Sequence, residues 1–513
     1  MKLRKTLVVH SLLATVLAAG CSSGQTGQTG SAGGADSKAK EPEKAPVVKV
    51  FMSGGLKFPD GQTINENPWT AMLEKETNVD LEIEYGPATP EDFISKLNLK
   101  FASGDIPDFF VLPATSQSWL MDNAKQGALM DLGDKVKNYK NLSNAVFPDA
   151  WEAAKYNGKI YAVPVLNDGN LGTNNFYVRK DWLDKLKLDV PKTLDDLHNV
   201  AKAFKEQDPD GNGKLDTYGF IGYDNLKGWS GLFGAFGVIP DEWIIKDGKI
   251  VQADIQPEMK DALAYIRKLH ADKLLDNEWP LTKVKAYTEK VSNNKVGLYE
   301  GNWAAARNEI NTSKTNDPAA NWIAIDPPTG PTGKKGVFGD PAYKSFAVIT
   351  SKAKHPEAIL NMLDWLSVQD NIDKFVFGFG EYGENFMYTK KDGKLALNFE
   401  NHNKYGYRQQ LMFMQPKELN SGKMESLGAD FKLVDNINLS VKNAIRDQFT
   451  GSPTPGMIEN LSSLRKLRDE TFVKIIIGEL PLEAFDKFVT DYKAKGGDKI
   501  LKEVEEWYAK KGK

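Results

Sequence analysis

Asp208-Pro209-Asp210-Gly211-Asn212-Gly213-Lys214-Leu215-Asp216 places side-chain oxygens at positions 1, 3, 5 and 9 of a short loop, with glycine at position 6. Such spacing turns alternate side chains inward, offers the Lys214 carbonyl at position 7 and uses Gly213 for the sharp turn, as in a calcium loop of EF-hand type. Position 12 is Gly219 rather than a bidentate glutamate, so a paired sensor site is not expected and the final ligand is left open. The alternative is an Asx- and glycine-rich turn without metal. With Ca2+ bound, the role is structural: the ion pins a helix over 194–206 to a strand over 218–221.

A second chemistry lies in the aromatic side chains. Sugars present flat C–H faces that stack on Trp and Tyr, while Asp, Asn, Glu and Arg take their hydroxyls. Trp229 and Phe233 sit in the glycine-rich loop Lys227-Gly228-Trp229-Ser230-Gly231, where little bulk shields them. Asp340-Pro341-Ala342-Tyr343 and the loop from Glu381-Tyr382 to Phe386 are comparable. Arg179 and Arg307 either meet ligand carboxylates or form ion pairs. For any one of these aromatics, packing in a core is the competing role.

A third signal is the only cysteine. Lys2, Arg4 and Lys5 precede an apolar stretch over 7–19, and Leu17-Ala18-Ala19-Gly20-Cys21 follows. This is the layout of a secretory signal, too short and too early to span a bilayer, with small residues and glycine before the thiol as in a bacterial lipobox. Cys21 is then the site of lipid attachment, a diacylglycerol with palmitate-type chains, and residues 1–20 are removed. That cut removes three positive charges, taking the formal charge from −3 to about −6, so no basic excess exists to hold nucleic acid or an anionic bilayer. With Cys21 lipidated, no thiol remains for a disulfide, a zinc site or a nucleophile.

Signals for catalysis are poor. Gly228-Trp229-Ser230-Gly231 brings its second glycine one place too early for a nucleophile elbow, and Gly330-Pro331-Thr332-Gly333-Lys334-Lys335 misses the phosphate-loop spacing. His198, His270, His355 and His402 show no metal-ligand spacing. A glycosidase carboxylate pair stays open as an alternative, because Asp and Glu are plentiful.

The elements that must position these residues follow the tether over 21–46, which has almost no apolar side chain to bury. Strands are expected over 47–51, 80–85 and 109–112, separated by helices opening at Asn67-Pro68-Trp69 and Thr89-Pro90-Glu91-Asp92, the rhythm of a parallel sheet with crossovers. Further strands are expected over 176–178, 218–221, 296–299, 322–325 and 345–349, and helices over 194–206, 464–477, 481–493 and 498–510. At 513 residues and 41% hydrophobic content, the chain suffices for two or three domains, and no later run approaches 18 apolar residues.

Five segments in order carry a resemblance: the lipobox; Asn157-Gly158-Lys159-Ile160-Tyr161-Ala162-Val163-Pro164, running on to Tyr177-Val178-Arg179-Lys180-Asp181-Trp182-Leu183; the Asp/Gly loop; Lys354-His355-Pro356-Glu357-Ala358 before a Leu-Asn-Met-Leu-Asp-Trp-Leu helix; and Ile477-Gly478-Glu479-Leu480-Pro481 with Phe485-Asp486-Lys487-Phe488. Together they resemble the extracellular solute-binding lipoproteins of carbohydrate-uptake ABC transporters, the large oligosaccharide-binding type of Bacillota. The resemblance implies an α/β fold of two lobes in the periplasmic-binding-protein style (type II), with a hinge and a helical C-terminal third. It places the first lobe over 47–165 plus 325–366 and the second over 170–320 plus 367–513. It implies an oligosaccharide captured in the cleft and delivered to permease subunits, by a monomer held outside the cytoplasm on the cell membrane through its lipid alone. Within Tyr299-Glu300-Gly301-Asn302-Trp303 it points Trp303 into the cleft, with Asn302 and Tyr299 beside it; Trp229, Arg179, Tyr343 and Tyr382, from the loops and charges above, complete the expected ligand contacts. No catalysis is expected; a peptide or other small-solute receptor of the same fold is the alternative, and a glycoside hydrolase the remoter one.

Overall fold

The computed structural model describes residues 44–167 and 174–510. The leader over 1–20, Cys21 and most of the tether expected over 21–46 lie outside the described residues.

A five-stranded sheet is built in the order Asp80–Gly86, Val47–Ser53, Phe109–Pro113, Tyr343–Ile349, Val163–Leu166. The three N-terminal strands run parallel, as the helix-strand alternation predicts, with Val47 opposite Asp80 and Val50 opposite Phe109. The two later arrivals are antiparallel to their neighbours. Helix Pro68–Thr77 starts where Asn67 accepts from the amides of Trp69 and Thr70 at 3.0 and 2.9 Å, and helix Pro90–Ser103 where Thr89 caps Asp92. Each cap removes orphan donors at a helix start, which is why these positions read clearly. Val48, Val50, Trp69, Leu81 and Phe109 form the core on one side of this sheet, and Phe51, Phe93, Phe110 and Phe346 the core on the other.

A second sheet is antiparallel throughout, in the order Leu298–Asn302, Asn174–Arg179, Trp322–Ile325. Its core takes Phe176, Val178 and Leu298, the apolar face of helix Leu194–Glu206, and the C-terminal helices through Phe472, Phe485, Phe488, Tyr492 and Ile500. Helix Leu194–Glu206 opens on a complete capping box between Thr193 and Asp196. The long helix Pro455–Ile476 begins nine residues before the expected start, because Thr454 caps it and Pro455 sits at its first turn. Helix Asp498–Lys510 matches its expected bounds.

Three expected segments run differently in the structure. Residues 218–221 form no strand: only isolated bridges join Tyr218 to Val296 and Phe220 to Leu275. Gly219 lies so close to helix Leu194–Glu206 that a Cβ there would stand 2.4 Å from the Ala201 carbonyl oxygen. Second, the stretch over 369–414 packs with the first core, and only the later C-terminal helices join the second. Ile372, Phe375, Met387, Tyr407 and Phe413 all pack with the first sheet, and the Trp69 indole donates to the Lys374 carbonyl at 3.1 Å. Third, residues before 340 belong with the second core: Val337 is buried there, and Val337–Gly339 pairs with Ala444–Arg446.

Candidate functional site

The C-terminal end of strand Leu298–Asn302 and the first residue of strand Asn174–Arg179 open on a cavity of about 640 Å³. At its base, the carboxylate of Glu300 is buried. One oxygen accepts from Asn174 Nδ2 at 2.6 Å and from Ser230 Oγ at 2.5 Å, the other from the Gly231 amide at 2.8 Å. Burial pushes its pKa upward and these donors oppose that shift. With both oxygens engaged, Glu300 is a fixed anchor rather than a free base. Ser230 in turn accepts from the Phe338 amide at 2.8 Å, tying the 337–339 strand to this wall.

The neighbouring backbone is held as firmly. Tyr177 and Tyr287 donate to the carbonyls of Asn302 and Glu300. Gly228, at φ +79°, brings the loop against Tyr287, whose hydroxyl would lie 3.1 Å from any Cβ there. A rigid polar base with an aromatic side wall (Tyr223, 4.5 Å ring to ring from Tyr287) suits a hydroxyl-rich solute.

Of the seven expected ligand contacts, only Asn302 lines this cavity. Its side chain also caps the turn that begins at Trp303, accepting from the Ala304 amide at 2.9 Å. Trp303 is half-buried next to it, against the small cluster of Leu397, Met424, Leu427 and Ile437. Tyr343 packs on Phe346 at 5.1 Å, and burial pushes its hydroxyl up to about 12. Tyr382 leans on Trp69 at 5.4 Å within an aromatic group at the first core.

Three of the expected contacts are buried away from this cavity. Trp229 has no exposed surface; its indole rests 4.4 Å from that of Trp279 and donates to the Ile221 carbonyl. Tyr299 is equally buried, stacked on Tyr177 and edge-on to Trp322. Arg179 is 1% exposed and forks onto Asp181, Asp317 and Asn294 at 2.6–2.9 Å. Trp229 packs in the second core, Tyr299 in an adjoining cluster with Tyr177, Tyr287 and Trp322, and Arg179 ties the 174–179 strand to Asp317 and Asn294. Asn174, Ser230 and Glu300 line the cavity without having been expected to; Ser230 and Glu300 lay inside loops already singled out, but nothing in their spacing separates a lining residue from a surface one.

In the Asp/Gly loop, the Gly213 and Asn212 amides donate to Asp208 at 3.0 and 3.1 Å. Asn212 Nδ2 lies between Asp210 and Asp216, at 2.7 and 3.1 Å, so an amide nitrogen draws these carboxylates together much as a cation would. Burial and the adjacent Asp208 carboxyl raise the pKa of Asp210. Lys295 pairs with Asp216 at 2.6 Å, and Lys214 contributes its amide to Asn212. Among the described residues, no three His, Cys, Asp or Glu side chains by themselves form a metal site; a cation here would need the Asn212 oxygen and backbone carbonyls as well.

Residues 59–371 match the family of bacterial extracellular solute-binding proteins, and the chain belongs to it. It is 28% identical over 98% of both chains to the polygalacturonan/rhamnogalacturonan-binding protein YtcQ of Bacillus subtilis, and 26% identical over 97% of both to Lipoprotein LipO of that organism. Among solved structures, an EF-hand mutant of the Streptococcus pneumoniae ABC-transporter substrate-binding protein FusA, in complex with fructo-nystose, superposes with a TM-score of 0.62. It is 22% identical, covering 90% of this chain and 99% of that one. The fold is therefore the two-lobed α/β fold of solute receptors. No helix among the described residues is long and apolar enough to cross a membrane.

Proposed function

We propose that this protein is the lipid-anchored substrate-binding component of an ABC importer, capturing an oligosaccharide between its lobes and handing it to the membrane permease. The observation that carries the reading is the polar cavity that second-lobe residues form at the end of the second sheet, in a chain of the solute-binding family. The relatives' carbohydrate ligands support it, and the LipO name supports the anchor at Cys21. The protein acts as a monomer on the outer side of the cell membrane, without catalysing a reaction; Glu300, held by three donors, gives no free base. The lobes are redrawn around the two cores: the first takes 47–166, 343–366 and 369–414, the second 174–339 and 444–510. Closure of such lobes is a hinge motion driven by contacts made only in the closed state.

A thermal-shift screen of the full chain in detergent, with neutral and acidic oligosaccharides competing against a peptide library, tests the reading. Saccharides should raise the melting temperature and peptides should not; the reverse identifies a peptide receptor. Trp303 is proposed to stack on the ligand beside Asn302. Trp303→Ala should weaken saccharide binding by about 1–3 kcal/mol, as for an aromatic anchor, read by isothermal titration; unchanged affinity would make Trp303 a packing residue only.

The Asp/Gly loop is proposed to bind calcium through Asp208, Asp210, Asn212, the Lys214 carbonyl and Asp216, as a structural ion. The EF-hand named in the FusA structure supports this. Calcium at a hundredfold over its Kd should stabilise the native state by about 2.7 kcal/mol, and Asp208→Ala should remove the difference between chelator and calcium. Metal analysis finding no calcium at saturating supply would contradict it.

A further inference from the structure

Arg408 is fully buried in the first lobe, and carbonyl oxygens hold its guanidinium. Nε donates to the Phe375 carbonyl at 2.6 Å, Nη1 to those of His402 and Tyr405 at 2.9 and 2.8 Å, and Nη2 to that of Val376 at 3.4 Å. These carbonyls lie at the C-terminal ends of helices Gln369–Val376 and Phe399–Lys404, where orphan acceptors and the negative end of the helix dipole favour a cation. The same Nη2 lies 2.9 Å from Nδ1 of His402. Burial brings the guanidinium down only to about 10, so it stays charged at neutral pH, and an arginine offers donors alone. Nδ1 must therefore accept. The ring's single proton then sits on Nε2, which lies 3.3 Å from the Gln409 side-chain amide.

We propose that His402 is an acid-operated latch: when Nδ1 takes up a proton, the ring loses its bond from Arg408 and the 399–411 segment loosens from the first core. Four carbonyls pin the guanidinium, so it cannot turn aside, and a protonated Nδ1 sets donor against donor at hydrogen-bond distance. The charged groups acting on the ring from other elements are all positive. Arg408 comes from the Gly406–Leu411 turn, Lys423 from helix Ser421–Ser426 and Arg307 from the Trp303–Arg307 turn. On its own helix, Glu400 and Lys404 are exposed. Burial first, and then these cations, hold the imidazole down at about 4. A base depressed in the folded state contributes stability that is whole above its ordinary value of 6.5 and is lost as pH falls from there toward 4. The segment carries Tyr405, Tyr407 and Leu411 into the first core, while Arg307 belongs to the second lobe, so a charge on His402 acts on both sides. The latch goes beyond the receptor reading and does not depend on which ligand is bound.

The test compares urea unfolding of the full chain with that of His402→Gln, whose side-chain oxygen still accepts from Arg408 but does not titrate. Between about pH 7 and pH 5, the unfolding constant of the parent should rise about twentyfold more than that of the variant, the ratio that linkage gives for a histidine held near 4. Amide hydrogen exchange, corrected for the pH dependence of the intrinsic rate, should quicken over 399–411 in the acidified parent and not in His402→Gln. A second measurement needs no variant: exchange of the imidazole C2 proton, followed peptide by peptide by mass spectrometry, reads the titration of each histidine in the unaltered chain. The midpoint for His402 should fall below about pH 5, beneath the ordinary histidine range. Parallel pH profiles for the parent and His402→Gln, or a C2-proton midpoint near the ordinary 6.5, would overturn the latch. Either result leaves the receptor reading untouched.

Discussion

Replacing Cys21 by alanine should abolish the proposed lipid anchoring, leaving the protein shed or held only by an uncleaved leader. Each methylene of an attached chain contributes about 0.8 kcal/mol on burial in the bilayer, and two chains give durable anchoring where one gives only marginal binding. That attachment at Cys21 is the proposed anchor. The mature chain is formally acidic, which denies it the polybasic contact that rescues weakly lipidated proteins, and the described residues contain no spanning helix. Fractionation of cells producing Cys21→Ala should therefore find the protein shed to the medium, or held only by an uncleaved leader. A mutant that stays membrane-bound and is cleaved at residue 20 would show that the lipid is not the anchor.

Arg179→Ala should destabilise the protein by about 3–5 kcal/mol, the usual effect of removing one member of a buried charged network. The guanidinium satisfies Asp181 and Asp317 together, meets Asn294, and lies over the Trp182 ring at 4.6 Å. Its loss leaves two carboxylates without their cation, and a void against Trp182. Urea unfolding should show the loss, while affinity for saccharide per folded molecule stays unchanged. Intact stability with abolished binding would instead return Arg179 to the cleft.

The contrast between those two residues shows what can be read from sequence alone. Cys21 sits in a local motif whose chemistry is complete within five residues. The caps at Asn67, Thr89 and Thr193 are local in the same sense, and each opens its helix where expected. Arg179 draws its partners from residues 181, 294 and 317, which only the folded second sheet brings together. Trp229 misleads for a related reason. The glycines around it read as an open loop, but Gly222 is glycine because a Cβ there would stand 2.3 Å from the indole. The backbone closes on the ring rather than exposing it. The amphipathic helix Gln369–Val376 likewise shows an apolar face without saying which core it covers. Glu300 was hidden by number: among many acids, only burial and the count of donors distinguish the one that anchors the cavity wall.

The central claim, a receptor that binds an oligosaccharide without altering it, is tested most directly by long incubation. Full-length protein is mixed with the saccharide that gives the largest thermal shift, its affinity is measured by titration, and the sugar is recovered and weighed by mass spectrometry. Micromolar or tighter binding with the saccharide returned at its original mass is the predicted result. Shorter products forming in proportion to protein, or no saccharide bound at all, would contradict the account.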